Sequence, residues 1–202
     1  MNRSLAFIPY LLLVAFVAAG TLWYLGDLRA HNGVESVATG DTVTLGGPFT
    51  LTDQNRMLRT EKDFRGKYTL VFFGYTYCPD VCPTTLAVMA AALDRIGSRA
   101  TQVVPLFITV DPKRDTPDKI KSYLASFGPH FVGLTGEPAD IASVAKEYRV
   151  YYKEHPAENG GEYTVDHSGV VYLMDPNGQF VANYSLETSP DAMAADLLKR
   201  LR

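Results

Sequence analysis

The chain has 202 residues, 47% of them hydrophobic and 20% charged, with a formal net charge of −3. That allows one ordinary globular domain with a modest appendage. There is no basic block to attract a polyanion, which argues against nucleic acid as a partner, and no internal repeat or low-complexity tract.

Leu5 to Gly26 carries no charged residue and is mostly apolar. A stretch of that length can cross a bilayer, and Trp23 and Tyr24 fall where an interfacial belt would lie. Arg3 and the amino terminus precede the span, while Asp27 and Arg29 cancel after it, so the charge bias favours the amino terminus inside and the domain outside. A cleaved leader competes with this reading, since Val17-Ala18-Ala19 resembles a processing site. The apolar run continues through Leu25, which favours an uncleaved anchor. The resulting organisation is a membrane anchor over 1–26, a polar linker over 27–46 and a folded domain over 47–202.

Pro48 to Leu58 reads as a short hairpin with its turn at Asp53 to Asn55. Leu70 to Phe73 is a continuous apolar run, as expected of a strand covered on both faces. It leads through Cys78 and Cys82 into a helix carrying Leu86, Met89, Ala90, Leu93 and Ile96 at helical spacing, stopped by Gly97. Gln102 to Val110 is a second apolar strand. Thr116 and Pro117 then cap a helix bearing Ile120, Tyr123, Leu124 and Phe127. A short strand over Phe131 to Leu134 and a helix opened by Pro138 follow. Val150 to Glu154 and Tyr163 to Asp166 read as extended, joined by a polar loop. Val170 to Met174 and Gln179 to Tyr184 form a hairpin around Asp175-Pro-Asn-Gly178, and Ser189-Pro190 caps a last helix. Strand–helix alternation followed by an antiparallel pair predicts an α/β thioredoxin-like fold: a mixed sheet flanked by helices, with an N-terminal hairpin.

Cys78 and Cys82 are the only cysteines, and they sit at the first strand–helix junction. Free backbone N–H groups and the helix dipole favour a thiolate there. Pro79 and Pro83 both suit a first helical position, which leaves the helix start open between the two thiols. The pair can close on itself or grip a soft metal ion. A structural disulfide is the bland alternative, and so short a loop gives it little entropic value.

Further donors come from His31, His130, His155, His167, Asp111 and Asp115. His31 lies in the linker, His130 after a helix stop and His155 in a polar loop. His167 stands beside Gly169 at the start of an apolar strand, either facing the cysteine loop or satisfying backbone groups. Asp111 ends a strand expected to run parallel to the central one, so it is either a donor at the same sheet edge or a turn residue before Pro112. Two thiolates and an imidazole suit Cu(I) and Cu(II), whereas a closed zinc site wants a fourth protein ligand.

Phe73-Gly-Tyr-Thr-Tyr-Cys78-Pro-Asp-Val-Cys82-Pro, Val110-Asp111-Pro-Lys-Arg-Asp115-Thr-Pro117, Asp166-His167-Ser168 and Tyr172-Leu-Met-Asp175-Pro-Asn-Gly178 together resemble the Sco/SenC family over about Pro48 to Arg202. These are copper chaperones of cytochrome c oxidase assembly. The resemblance implies copper held by Cys78, Cys82 and His167, with Asp111 in an acidic motif near the metal. It implies delivery to, or thiol reduction at, the dinuclear copper centre of oxidase subunit II. It also implies a single-pass anchor in the inner membrane, with the domain on the periplasmic or intermembrane-space side. There it would meet another copper chaperone or a thiol reductant. Three further readings stand beside the chaperone: a thiol–disulfide oxidoreductase using Cys78 and Cys82, a peroxidase with an attacking cysteine, and a non-catalytic binding module.

Overall fold

The computed structural model describes residues 44–157 and 161–201. The expected anchor, His31 and nearly all of the expected linker lie outside them. Among the described residues no helix is long and apolar enough to cross a membrane.

Nine strands are β1 (Thr50–Asp53), β2 (Leu58–Thr60), β3 (Tyr68–Gly74), β4 (Val103–Thr109), β5 (Val132–Thr135), β6 (Tyr152–His155), β7 (Thr164–His167), β8 (Val171–Met174) and β9 (Phe180–Tyr184). Among the described residues the α-helices are α1 (Val81–Ile96), α2 (Pro117–Leu124), α3 (Pro138–Glu147) and α4 (Pro190–Arg200). Seven strands make one sheet in the order β2-β1-β5-β4-β3-β8-β9. The strands β3, β4 and β5 run parallel, while β1 and β8 flank them antiparallel. This is the thioredoxin-like mixed sheet that the element order predicts, with the N-terminal hairpin on one edge. The remaining two strands, β6 and β7, pair only with each other, as a separate antiparallel ribbon.

Leu70, Val71, Phe72 and Phe73 of β3 are fully buried, so the central strand is covered on both sides. Successive side chains alternate between faces. Phe73 meets the Tyr148 ring at 5.3 Å just past α3, and Gly74 faces Cys82 of α1 on the opposite side. Phe107 of β4 packs on Tyr123 of α2, and α1 packs against α4. Thus α1, α2 and α4 cover one face and α3 the other. Thr116 and Ser189 accept hydrogen bonds from Lys119 N–H and Ala192 N–H, each ahead of a proline at the first helical turn.

Helix α2 lies close on β5 because residue 133 has no side chain. A Cβ there would stand 2.1 Å from Ile120 Cγ2 and 2.6 Å from Leu124 Cδ1. Gly133→Ala is therefore expected to cost about 1–3 kcal/mol by overpacking. Combined with Ile120→Ala it should cost less than the sum of the two single changes, since the second opens the space the first needs. Chemical denaturation of the four proteins measures this, and strict additivity would disprove the contact.

Candidate metal centre

The helix start left open by the two prolines is settled by the backbone: Asp80 is the N-cap and Val81 the first residue of α1. Cys78 therefore lies in the turn before the helix and Cys82 in its first turn. The Asp80 side chain makes no capping bond. Instead the Cys82 N–H donates to Cys78 Sγ at 3.4 Å, so a cysteine sulfur accepts from a helix N-terminus that lacks its usual side-chain acceptor.

Both thiols are free, Cys78 half-buried and Cys82 fully buried. The Cys82 sulfur fits against the end of β3 only because residue 74 is glycine. A Cβ at that position would lie 2.6 Å from it and 3.1 Å from both Phe72 and Phe107. The loop between the strand and Cys78 is pinned from below. Thr76 donates through its N–H (3.0 Å) and its hydroxyl (2.6 Å) to Asp115, a fully buried carboxylate that also accepts from Thr109 Oγ1 at 2.6 Å. Burial pushes the Asp115 carboxyl above its ordinary range, and the threonine donors pull the other way.

His167 closes the cluster. It is the last residue of β7 in the ribbon, whereas the sequence placed it at the approach to the apolar strand from Val170. Its Nε2 stands 3.3 Å from Cys82 Sγ, and one donor atom from each of Cys78, Cys82 and His167 lies within 4.8 Å of the others. The other ring nitrogen, Nδ1, is 3.2 Å from the Ser168 carbonyl. A carbonyl only accepts, so Nδ1 carries the proton and Nε2 turns its lone pair toward the sulfurs. Phe72 and Tyr75 meet the imidazole edge-on at 6.0 and 5.7 Å.

The remaining candidates stand apart from this cluster. Asp111 is fully buried, but its carboxylate is taken by Arg114 Nε and by the Tyr163 hydroxyl, which donates at 2.6 Å. None of its hydrogen bonds reaches the three donors. His155 sits 2.8 Å from Asp166 across the ribbon, and His130 is exposed in the turn before β5. Gly74, Thr76, Tyr75, Arg114 and Tyr163 shape the site, yet sequence reasoning did not single them out. Gly74 at the end of an apolar run, and an arginine between two aspartates, were the available signals.

Two soft sulfurs and one imidazole nitrogen, with no carboxylate among them, form a donor set that accepts a soft or borderline ion. The pair is also polarised. Cys78 is held well below the ordinary thiol range because the Cys82 thiol donates to it, with the backbone N–H groups of Cys82 and Asp80 adding to the effect. Cys82 is pushed up by that same bond, by burial and by the adjacent negative sulfur. Cys78 is thus ionised through the neutral range and Cys82 is not. Iodoacetamide should accordingly modify the reduced, metal-free protein at Cys78 alone, at a rate nearly flat from pH 9 down to pH 6. A rate falling about tenfold per pH unit below pH 8 would show an ordinary thiol.

The description SCO1/SenC fits residues 37–202 of the chain. The "Protein SCO1 homolog 1, mitochondrial" of Arabidopsis thaliana is 40% identical over 181 residues, 89% of this chain. The chain spans only about half the length of that protein, 54%. A "SCO2-like protein" of Rickettsia conorii is 40% identical over 184 residues, 88% of each chain. Among solved structures, ScoI of Bradyrhizobium japonicum with copper bound is 52% identical, with a TM-score of 0.72 over 78% of this chain and 99% of that one.

Proposed function

This chain belongs to the SCO1/SenC family, and from that premise we propose that it carries copper to the dinuclear centre in subunit II of cytochrome c oxidase. In this reading Cys78, Cys82 and His167 hold the ion. The observation that carries it is the convergence, among the described residues, of two thiols and an imidazole within 4.8 Å of one another. The copper-bound ScoI relative, which matches this chain over most of the domain, supports the choice of ion.

Copper is cargo here, so the site has to release it as well as hold it. Cys78 is the half-buried donor and is ionised before any metal binds, so a partner's incoming ligand meets it first. Cys82 lies deeper and keeps the ion while ligands exchange one at a time. The ion never needs to be free in solution. The apolar stretch over residues 1–26 anchors the chain in the inner membrane, and 27–46 tethers the domain over 47–202 on the periplasmic or intermembrane-space side. The copper would arrive from another chaperone in that compartment, where a reductant must keep both sulfurs reduced.

Titration of the full-length reduced protein should give one copper per chain in either oxidation state. His167→Ala should weaken Cu(II) by more than about tenfold, roughly 1.4 kcal/mol, and Cu(I) far less, because the thiolates alone suit the softer ion. A His167→Ala protein that binds both states like the parent removes the ligand assignment.

The polarised thiol pair favours one second reading, reduction of disulfides in the target. Cys78 attacks one sulfur of the target disulfide and the other leaves as a thiolate. Cys82 then attacks the mixed disulfide, giving a Cys78–Cys82 disulfide and a target dithiol, two electrons having passed outward. This chemistry needs no imidazole. Cys82→Ser should trap the mixed disulfide, Cys78→Ser should not react, and His167→Ala should reduce at the parent's rate. Loss of reductase activity in His167→Ala would return the site to metal chemistry alone.

A further inference from the structure

His167 reaches the sulfurs from a ribbon that forms no ladder with the main sheet. An isolated two-stranded ribbon does not hold itself in place. Something else must fix it to within the few tenths of an ångström that a metal ligand requires. The ribbon is linked to the body of the domain through side chains, Tyr152 and Tyr163 packing on the core and the His167 ring meeting Phe72 and Tyr75. Val165 is buried and its N–H approaches the Tyr75 hydroxyl at 3.4 Å. Lys113 pairs with Glu154 at 2.7 Å, but both groups are largely exposed and such pairs contribute little.

A further link is of a different kind. The Arg114 guanidinium lies 3.5 Å over the Tyr163 ring, and its Nη1 donates to the Tyr163 carbonyl at 2.9 Å. Its Nε donates to Asp111, whose other carboxylate oxygen accepts from the Tyr163 hydroxyl. Tyr163 is thus gripped at its ring, its hydroxyl and its backbone, one residue before β7 begins. Asp111 is itself anchored beyond the end of β4, where its N–H donates to Thr109 Oγ1 at 2.9 Å. The same guanidinium stands 4.8 Å from the Tyr77 ring, next to Cys78, and 5.8 Å from Tyr75, whose ring edge meets His167. One side chain therefore touches both the cysteine turn and the histidine ribbon. Arg114 Nη2 is buried and has no hydrogen-bond partner among the described residues. An unpaired buried N–H on a charged group is costly, so stability alone is a poor reason for burying this arginine.

We propose that Arg114, locked by Asp111 and Tyr163, is the positioning residue that sets His167 beside Cys78 and Cys82. Its effect on copper rests on the carrier reading above. Its effect on the ribbon does not.

Two full-length variants test it. Arg114→Gln removes the charge and the fork, and Tyr163→Phe keeps the stacked ring but loses the bond to Asp111. Hydrogen exchange of the metal-free proteins should quicken at least about tenfold across β7 and stay unchanged in β3. Cu(II) affinity should fall roughly tenfold or more, with Cu(I) affinity within about threefold of the parent. In a His167→Ala background, Arg114→Gln should change Cu(II) affinity no further, because its action passes through the imidazole. Parent-like exchange in β7 for both variants would overturn the proposal. So would an equal loss of Cu(I) and Cu(II), or a full additional loss in the His167→Ala background. If Arg114→Gln does not fold, Tyr163→Phe decides by the same measurements. A parent protein that binds no copper would sink the carrier reading, while the exchange result would still decide whether Arg114 holds the ribbon.

Discussion

The site depends on one close approach. Cys82 Sγ rests against the end of β3 in space that exists because residue 74 has no side chain. Any Cβ there would drive the sulfur out or push α1 off the sheet. Once the sulfur is seated, much else follows. The helix begins at Val81, its second N–H points at Cys78 Sγ, and the turn between strand and helix is short enough for Asp115 to hold it through Thr76 alone. The acidity of Cys78 is a consequence of the same packing. Its sulfur accepts a hydrogen bond from the helix and another from a neighbour that burial keeps protonated.

Local periodicity made most of the fold legible in the sequence. The apolar run at Leu70 to Phe73 and the helical spacing from Leu86 to Ile96 describe elements that bury one or both faces, and burial is what such patterns encode. The parallel relation of β3 and β4 followed from the helix between them, since a crossover of that length returns the chain in the same direction. The detached ribbon was not legible. Val150 to Glu154 and Tyr163 to Asp166 read as extended, but nothing in their composition says that they leave the main sheet. Their pairing is set by contacts with residues far away in sequence.

The same division runs through the site. Cys78 and Cys82 declare themselves because a helix N-terminus is a local feature with a chemical meaning. His167 was within reach as a candidate, yet placing it at the approach to β8 gave it the wrong support. It is carried by β7, and its neighbours Tyr75, Phe72 and Arg114 come from three other parts of the chain. Asp111 shows the converse. The sequence placed it correctly at the sheet edge beside the cysteine-bearing strand. Whether a carboxylate there faces an ion or an arginine depends on where Arg114 and Tyr163 come to rest, which spacing does not encode.

The three donors are therefore held with unequal firmness, and that inequality bears on what the site can do. Cys82 is tied to the core through α1 and β3, so displacing it means disrupting the central sheet. Cys78 is fixed by the turn that Asp115 secures, at intermediate exposure. His167 hangs on a two-stranded ribbon attached by side chains, so its displacement breaks few contacts and leaves the core intact. A structural metal site gains from making every ligand as firm as Cys82. A carrier gains from one ligand that can be surrendered without unfolding the protein, because the ion must leave to a partner whose own donors replace those ligands in turn. If the site carries an ion, the imidazole is by that argument the donor to give up while both sulfurs still hold. In such a carrier the firmness of the ribbon, more than the strength of any single bond to the ion, would set how readily the cargo passes on.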